Sequence, residues 1–239
     1  MTSVAKDLER IIERVPPLPE VAMRVLRIVD DVEFSMAKLV ELVQTDPSLT
    51  AQLLRLCNSS LFALQSEITS IPQALSYLGI RHITRVVVTS CTSPYFKVDD
   101  VEIPYLKSTV IWRHSVACAA ACQRLAKEIG GIDQGTAYTA GILHNIGKVP
   151  LGQLLHVRGR IDVEVSASGC QLLDVERELF GTDHAQVAGM VTDEWSVPLE
   201  LKDAVRNHHD EDLIDESGIL TAILHAADLL VLRAGISRL

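Results

Sequence analysis

Residues 104–148 read PYLKSTVIWRHSVACAAACQRLAKEIGGIDQGTAYTAGILHNIGK. Pro104 opens a helical run that reaches Ile129, Gly130-Gly131 closes it, and a second run covers roughly 134–148. Cys118 and Cys122 stand four apart in an Ala-rich segment, so they share one helix face and read as small packing residues. Two such runs in succession set the expectation of an all-α fold.

The same signals continue outward. Toward the C-terminus a third run ends before Phe180-Gly181 and a fourth opens at Asp183, with Gln186 placed to complete a capping box. Pro198 begins a fifth and Glu216 a sixth. No repeat of 20–50 residues recurs, so the second half reads as a helical bundle and not a solenoid. Toward the N-terminus, residues 92–104 carry two prolines and an acidic pair and read as a linker. Before it, Ser70 and Pro72 open a helix that Gly79 closes. The apolar stretch Ile80 to Ser90 follows a 3.6 period better than a period of two, giving helix, tight turn, helix over 71–90. Asp46-Pro47 supplies a cap and a first helical residue, Ser35 a further cap, and Pro16-Pro17-Leu18-Pro19 ends a first helix reaching Arg14.

Composition fits this reading. With 239 residues, 48% of them hydrophobic and 22% charged, the chain can bury roughly 70% of its unfolded surface and needs no disulfide or metal to fold. Two Trp, four Tyr and four Phe leave a core of Leu, Val, Ile and Ala, as in helical domains. Five cysteines without a CxxC pair fit a reducing cytoplasm better than a secreted scaffold or zinc ribbon. The charged first residues and the absence of an apolar run of membrane length support neither a signal peptide nor a span. Net charge is −9, with 10 basic and 12 acidic groups in residues 1–100 against 12 and 19 in residues 101–239. That balance disfavours phosphate binding, and Arg81, His82 and Arg85 are the residues on which contact with DNA would rest.

Chemistry concentrates in histidines on predicted helices or at their ends: Arg113-His114-Ser115, Leu143-His144-Asn145-Ile146-Gly147-Lys148, Asp183-His184-Ala185, Asn207-His208-His209-Asp210, and His225-Ala226-Ala227-Asp228. Neutral imidazole and carboxylate are ligands for borderline divalent cations, and converging helices can each project one into a shared core. The metal candidates are His114, His144, Asn145, His184, His208, His209 and Asp228, for iron, manganese or zinc. The same imidazoles can instead be satisfied by hydrogen bonds across helices and to Asp228.

The order His, His-x-Ile-Gly-Lys, His, His-His, Asp over 114–228 resembles the HD superfamily of metal-dependent phosphohydrolases, including its HD-GYP cyclic-dinucleotide phosphodiesterases. Pro16-Pro17-Leu18-Pro19-Glu20, Asp46-Pro47-Ser48-Leu49, Leu54-Arg55-Leu56-Cys57-Asn58-Ser59, and Ile68-Thr69-Ser70-Ile71 with Leu78-Gly79 resemble the N-terminal signature of the HDOD family, the HD-related output domains. The resemblance covers about 16–233. It implies two helical subdomains, 1–100 and 101–239, the second an HD-like bundle. It also implies a bacterial signalling module acting on a protein partner, without demonstrated catalysis.

In active HD enzymes the doublet aspartate binds, and in binuclear members bridges, metal. Position 145 here is asparagine, a neutral and weaker ligand, which compromises a metal-activated hydroxide. No Gly-Tyr-Pro element follows His209; the chain runs instead through acidic residues 210–216, which would repel a dinucleotide phosphate. These departures make a non-catalytic module the leading expectation and a divalent-metal phosphodiesterase or phosphohydrolase the alternative. In the alternative, Lys148 is the group that would contact a substrate phosphate, against the plainer reading of a surface lysine at a helix end.

Overall fold

The structure, a computed structural model, describes residues 3–28, 36–58, 67–96, 106–158, 169–210 and 218–236. Among the described residues the architecture is all-α, with no strand. Packing separates Leu18–Pro94 from a larger unit made of Met1–Pro17 and Tyr95–Leu239. The chain-order division at 100/101 and this packing division differ over residues 1–17, which hold the first helix, and over residues 95–100.

The smaller unit holds α2 (Glu20–Ile28), α3 (Met36–Gln44), α4 (Pro47–Cys57) and α5 (Ile71–Thr92), the other three helices each packing on α5. Its starts follow from the expected caps. Asp46 Oδ1 accepts from the Ser48 and Leu49 amides, and the Ser70 hydroxyl accepts from the Gln73 amide. Ser35 lies outside the described residues. Gly79 adopts φ 73°, and this left-handed residue breaks α5 into the two segments expected from the sequence. Arg81 and His82 are exposed on the second segment, whose Ile83 and Val87 are buried. Asn58 closes the chain after α4: its amide donates to the Ile68 carbonyl and accepts from the Ile68 amide, at 2.8 and 2.7 Å.

The larger unit holds α1 (Ser3–Ile12), α6 (Ser108–Ile129), α7 (Gln134–Leu143), α8 (Lys148–Arg158), α9 (Gly169–Phe180), α10 (His184–Glu194), α11 (Leu199–Asn207) and α12 (Ile219–Arg233), and a short 3-10 turn at Ser93–Phe96 spans the division at Pro94. Pro104 and Glu216, the expected starts of α6 and α12, and residues 211–216 of the acidic stretch lie outside the described residues. The centre is α7, with Gly135 to Leu143 all buried among α6, α11 and α12. Asp133 starts it by accepting from the Gly135 and Thr136 amides. Its contact with α6 is close because position 141 lacks a side chain: a Cβ there would stand 2.4 Å from the Ala119 Cα. α1 packs on α8 and α10. Next to it, the Trp195 indole N–H donates to the Pro16 carbonyl at 2.9 Å and the Tyr95 hydroxyl to the Pro17 carbonyl at 2.6 Å.

One expectation needs correction. Residues 134–148 are not a single run, because α7 stops at Leu143, a turn occupies 144–147, and α8 begins at Lys148. The turn drives Gly147 against α10, where a Cβ would lie 2.0 Å from the His184 carbonyl oxygen and 2.5 Å from the Ala188 nitrogen. A continuous helix would carry the chain past that contact. The turn thereby sets His144 beside the start of α10.

Candidate metal centre

Five segments of the larger unit converge on one buried volume. α6 brings His114 and Cys118, the α7–α8 turn brings His144 and Asn145, the start of α10 brings His184, the end of α11 brings His208 and His209, and α12 brings Asp228. All are buried except His209, which is half-buried. His114, His144 and His208 form a chain of rings with centroids 5.4 and 5.2 Å apart, and His184 and His209 lie 5.7 and 4.0 Å from His208. The histidines singled out in the sequence are therefore neighbours in space.

Three of them have their ring protons placed by the partners of Nδ1. His144 Nδ1 lies 2.8 Å from the Gly141 carbonyl oxygen and His208 Nδ1 lies 2.7 Å from that of Val205. A carbonyl only accepts, so each Nδ1 donates and each Nε2 keeps its lone pair. His184 Nδ1 donates to Glu176 Oε2 at 2.7 Å, and the same oxygen accepts from the His184 amide, also at 2.7 Å. This is the pattern by which ligand histidines are oriented in metal sites. His225 differs: its Nδ1 lies 2.8 Å from the His208 carbonyl and ties α12 to the end of α11.

The inward-facing atoms make two groups, each with donor atoms within 4.8 Å of one another: His114, Cys118, His144 and Asp228, and His184, His208 and His209. In the first, Asp228 Oδ1 stands 2.7 Å from His114 Nε2 and 3.7 Å from His144 Nε2. In the second, His184 and His209 Nε2 are 3.1 Å apart, and His209 Nε2 is 4.0 Å from Asp228 Oδ2. His208 Nε2 is buried without a hydrogen-bond partner, as is Asn145 Oδ1. Orphaned lone pairs inside a ring of fixed histidines fit a divalent cation, which would take up these atoms. Asn145 Nδ2 lies 2.8 Å from His144 Nε2 and donates to it. Where a carboxylate would leave that nitrogen open to metal, the amide caps it.

Electrostatics follow burial. Burial pushes His114, His184 and His208 below the ordinary histidine range, with Lys148 adding to the effect on His184 and His209 to that on His208. His209 is pushed down to about 3 by burial and by His184. Burial pushes Asp228 toward protonation, but hydrogen bonds and charge from His114 and His144 outweigh it and hold the carboxyl well below its usual range. Lys148 opens α8 half-buried and is not a surface lysine at a helix end; burial lowers it, opposed by Glu176 and Asp228.

Two residues of the site were not among the sequence candidates. Cys118 Sγ stands 3.2 Å from His114 Nε2, so it belongs to the cluster besides packing α6. Its place one turn after His114 was visible in the sequence. Glu176 is fully buried on α9 and orients His184 from outside the ring. We expect Glu176→Ala to destabilise the chain by about 3 kcal/mol, because it strands two buried N–H groups. Glu176→Gln, which retains one accepting oxygen, should lose about half as much in urea denaturation.

The sequence pattern of the HDOD domain matches residues 15–211. The chain belongs to the HDOD family. The all-α fold expected from that resemblance is the fold observed. An HDOD domain protein from Geobacter sulfurreducens superposes with TM-score 0.76 at 23% identity, over 97% of this chain and 78% of that one. A candidate signal transduction protein from Marinobacter aquaeolei VT8 gives 0.75 at 24%, over 98% and 56%. A candidate phosphohydrolase from Shewanella amazonensis SB2B gives 0.69 at 25%, over 95% and 81%. A curated protein of Treponema pallidum (strain Nichols) is 22% identical over 220 residues, which is 87% of this HDOD chain but only 40% of that protein's length. Among the described residues no helix is long and apolar enough to cross a membrane.

Proposed function

We propose that this HDOD chain is a non-catalytic output module of bacterial signal transduction that works by binding a protein partner. The observation that carries the reading is Asn145. Its neutral amide, which donates to His144 Nε2 in this structure, replaces the carboxylate that would hold and bridge metal ions for hydrolysis. The acidic sequence of 210–216, where HD-GYP proteins would carry Gly-Tyr-Pro, adds charge that opposes capture of a dinucleotide. The Marinobacter relative, named for signal transduction, supports the same context.

A second reading, divalent-metal phosphohydrolysis, draws on the convergence of His184, His208 and His209 and on Lys148, whose charge Asp228 and Glu176 both feel. The Shewanella relative, named for phosphohydrolysis, points the same way. Incubation of chelator-free protein with manganese or iron and a cyclic dinucleotide or a phosphomonoester separates the two. The expected result is no release of phosphate or linear dinucleotide above the buffer rate. Turnover that disappears in His114→Ala and His208→Ala, with helicity intact, overturns the non-catalytic reading.

A further inference from the structure

With asparagine at 145, Asp228 is the one carboxylate whose oxygen lies within the first donor group. A divalent ion held by neutral His114 and His144 and by Asp228 alone would keep one uncompensated positive charge in a buried site, which is unfavourable. A second group able to become an anion is already in place. Cys118 is fully buried on α6, its Sγ 3.2 Å from His114 Nε2 and 3.9 Å from Asp228 Oδ1. Bonds of about 2.0–2.3 Å to a tetrahedral zinc put neighbouring donors about 3.3–3.6 Å apart. Four separations within the group, 2.7, 3.2, 3.7 and 3.9 Å, bracket that spacing, and all its donor atoms lie within 4.8 Å of one another.

We propose that Cys118 is a metal ligand standing in for the missing doublet carboxylate. His114, Cys118, His144 and Asp228 then form a four-donor, charge-neutral site for one thiophilic divalent ion such as zinc. On binding, the Cys118 S–H bond breaks, its proton passes to solvent and the sulfur bonds the metal. His114 moves its ring proton from Nε2 to Nδ1, and the Asn145 amide turns away from His144 Nε2. The second group has three imidazoles and no carboxylate of its own, since Glu176 is engaged on the far side of His184 and Asp228 is committed to the first group. The stoichiometry is therefore one ion per chain. This site goes beyond the proposed function and stands whether or not turnover occurs.

Cobalt(II) reports the sulfur ligand directly. The chelator-stripped chain, titrated with cobalt, is expected to bind one equivalent with a near-ultraviolet sulfur-to-cobalt charge-transfer band. Cys118→Ser loses the band and Cys122→Ser keeps it. Cys118→Ser combined with Asn145→Asp regains cobalt without the band. Cobalt bound without charge transfer, a band that survives Cys118→Ser, or no cobalt bound by the wild-type chain overturns the proposal. Should the serine variant fail to fold by circular dichroism, X-ray absorption of the zinc-loaded wild-type chain decides. One sulfur scatterer at about 2.3 Å supports the site, and a shell of nitrogen and oxygen alone overturns it.

Discussion

Gly147→Ala is expected to remove a large share of the stability of the larger unit, whereas Gly189→Ala should cost far less. The added Cβ at 147 would stand 2.0 Å from the His184 carbonyl oxygen and 2.5 Å from the Ala188 nitrogen, both backbone atoms fixed within α10. Relief requires separating the α7–α8 turn from α10, at a cost of at least about 3 kcal/mol against a typical total of about 5–15. At Gly189 the nearest atom, 2.4 Å away, belongs to the Arg206 side chain, which can swing aside. The loss there should stay within about 1 kcal/mol, mainly from the Arg206–Asp193 ion pair at 2.6 Å. Thermal denaturation of the two variants checks the contrast. Equal losses would sink the idea that the backbone contact sets the turn.

A steep acid limit is the second large effect. Four histidines of the cluster, His114, His184, His208 and His209, are held below their unfolded values chiefly by burial. Above about pH 6.5 they are neutral in both states and contribute no difference. As pH falls below that value the unfolded chain takes up protons that the folded chain refuses, so stability drops with acidity. The loss continues until the folded groups titrate, for His209 near pH 3. Each histidine contributes up to about 1.4 kcal/mol per pH unit, so the four together give roughly 4–6 kcal/mol per unit at the steepest point. Urea midpoints of chelator-treated protein between pH 7.5 and 5 should show this decline. A flat profile would mean that the rings take up protons within the fold.

Where structure depends on neighbours in sequence, it was legible. Asp46-Pro47, Ser70 and Asp183 start helices because a cap acts within three residues, and Gly79 breaks α5 through its own backbone angle. The histidines were legible as a set because each sits on a helix or at its end and few other residues offer that chemistry. What escaped depends on distant partners. Nothing between 134 and 148 forbids one continuous helix; it is the approach of α10 to Gly147 that ends α7 at Leu143. Glu176 is eight residues from His184, beyond Gly181, so no helical period links the two. Cys118 had the right spacing from His114, but a cysteine among alanines carries no mark that separates a ligand from a packing group.

The packing of α1 on α8 and α10, and the hydrogen bonds from Tyr95 and Trp195 to the Pro17 and Pro16 carbonyls, have a consequence in time. During synthesis, Ser3–Ile12 emerges more than a hundred residues before Lys148, on the order of ten seconds ahead at ordinary translation rates. The smaller unit is complete on the nascent chain by then, while the apolar face carrying Leu8 and Ile12 still waits for its partners. An early helix held open this long keeps its apolar face exposed throughout, and slowing elongation would lengthen that exposure.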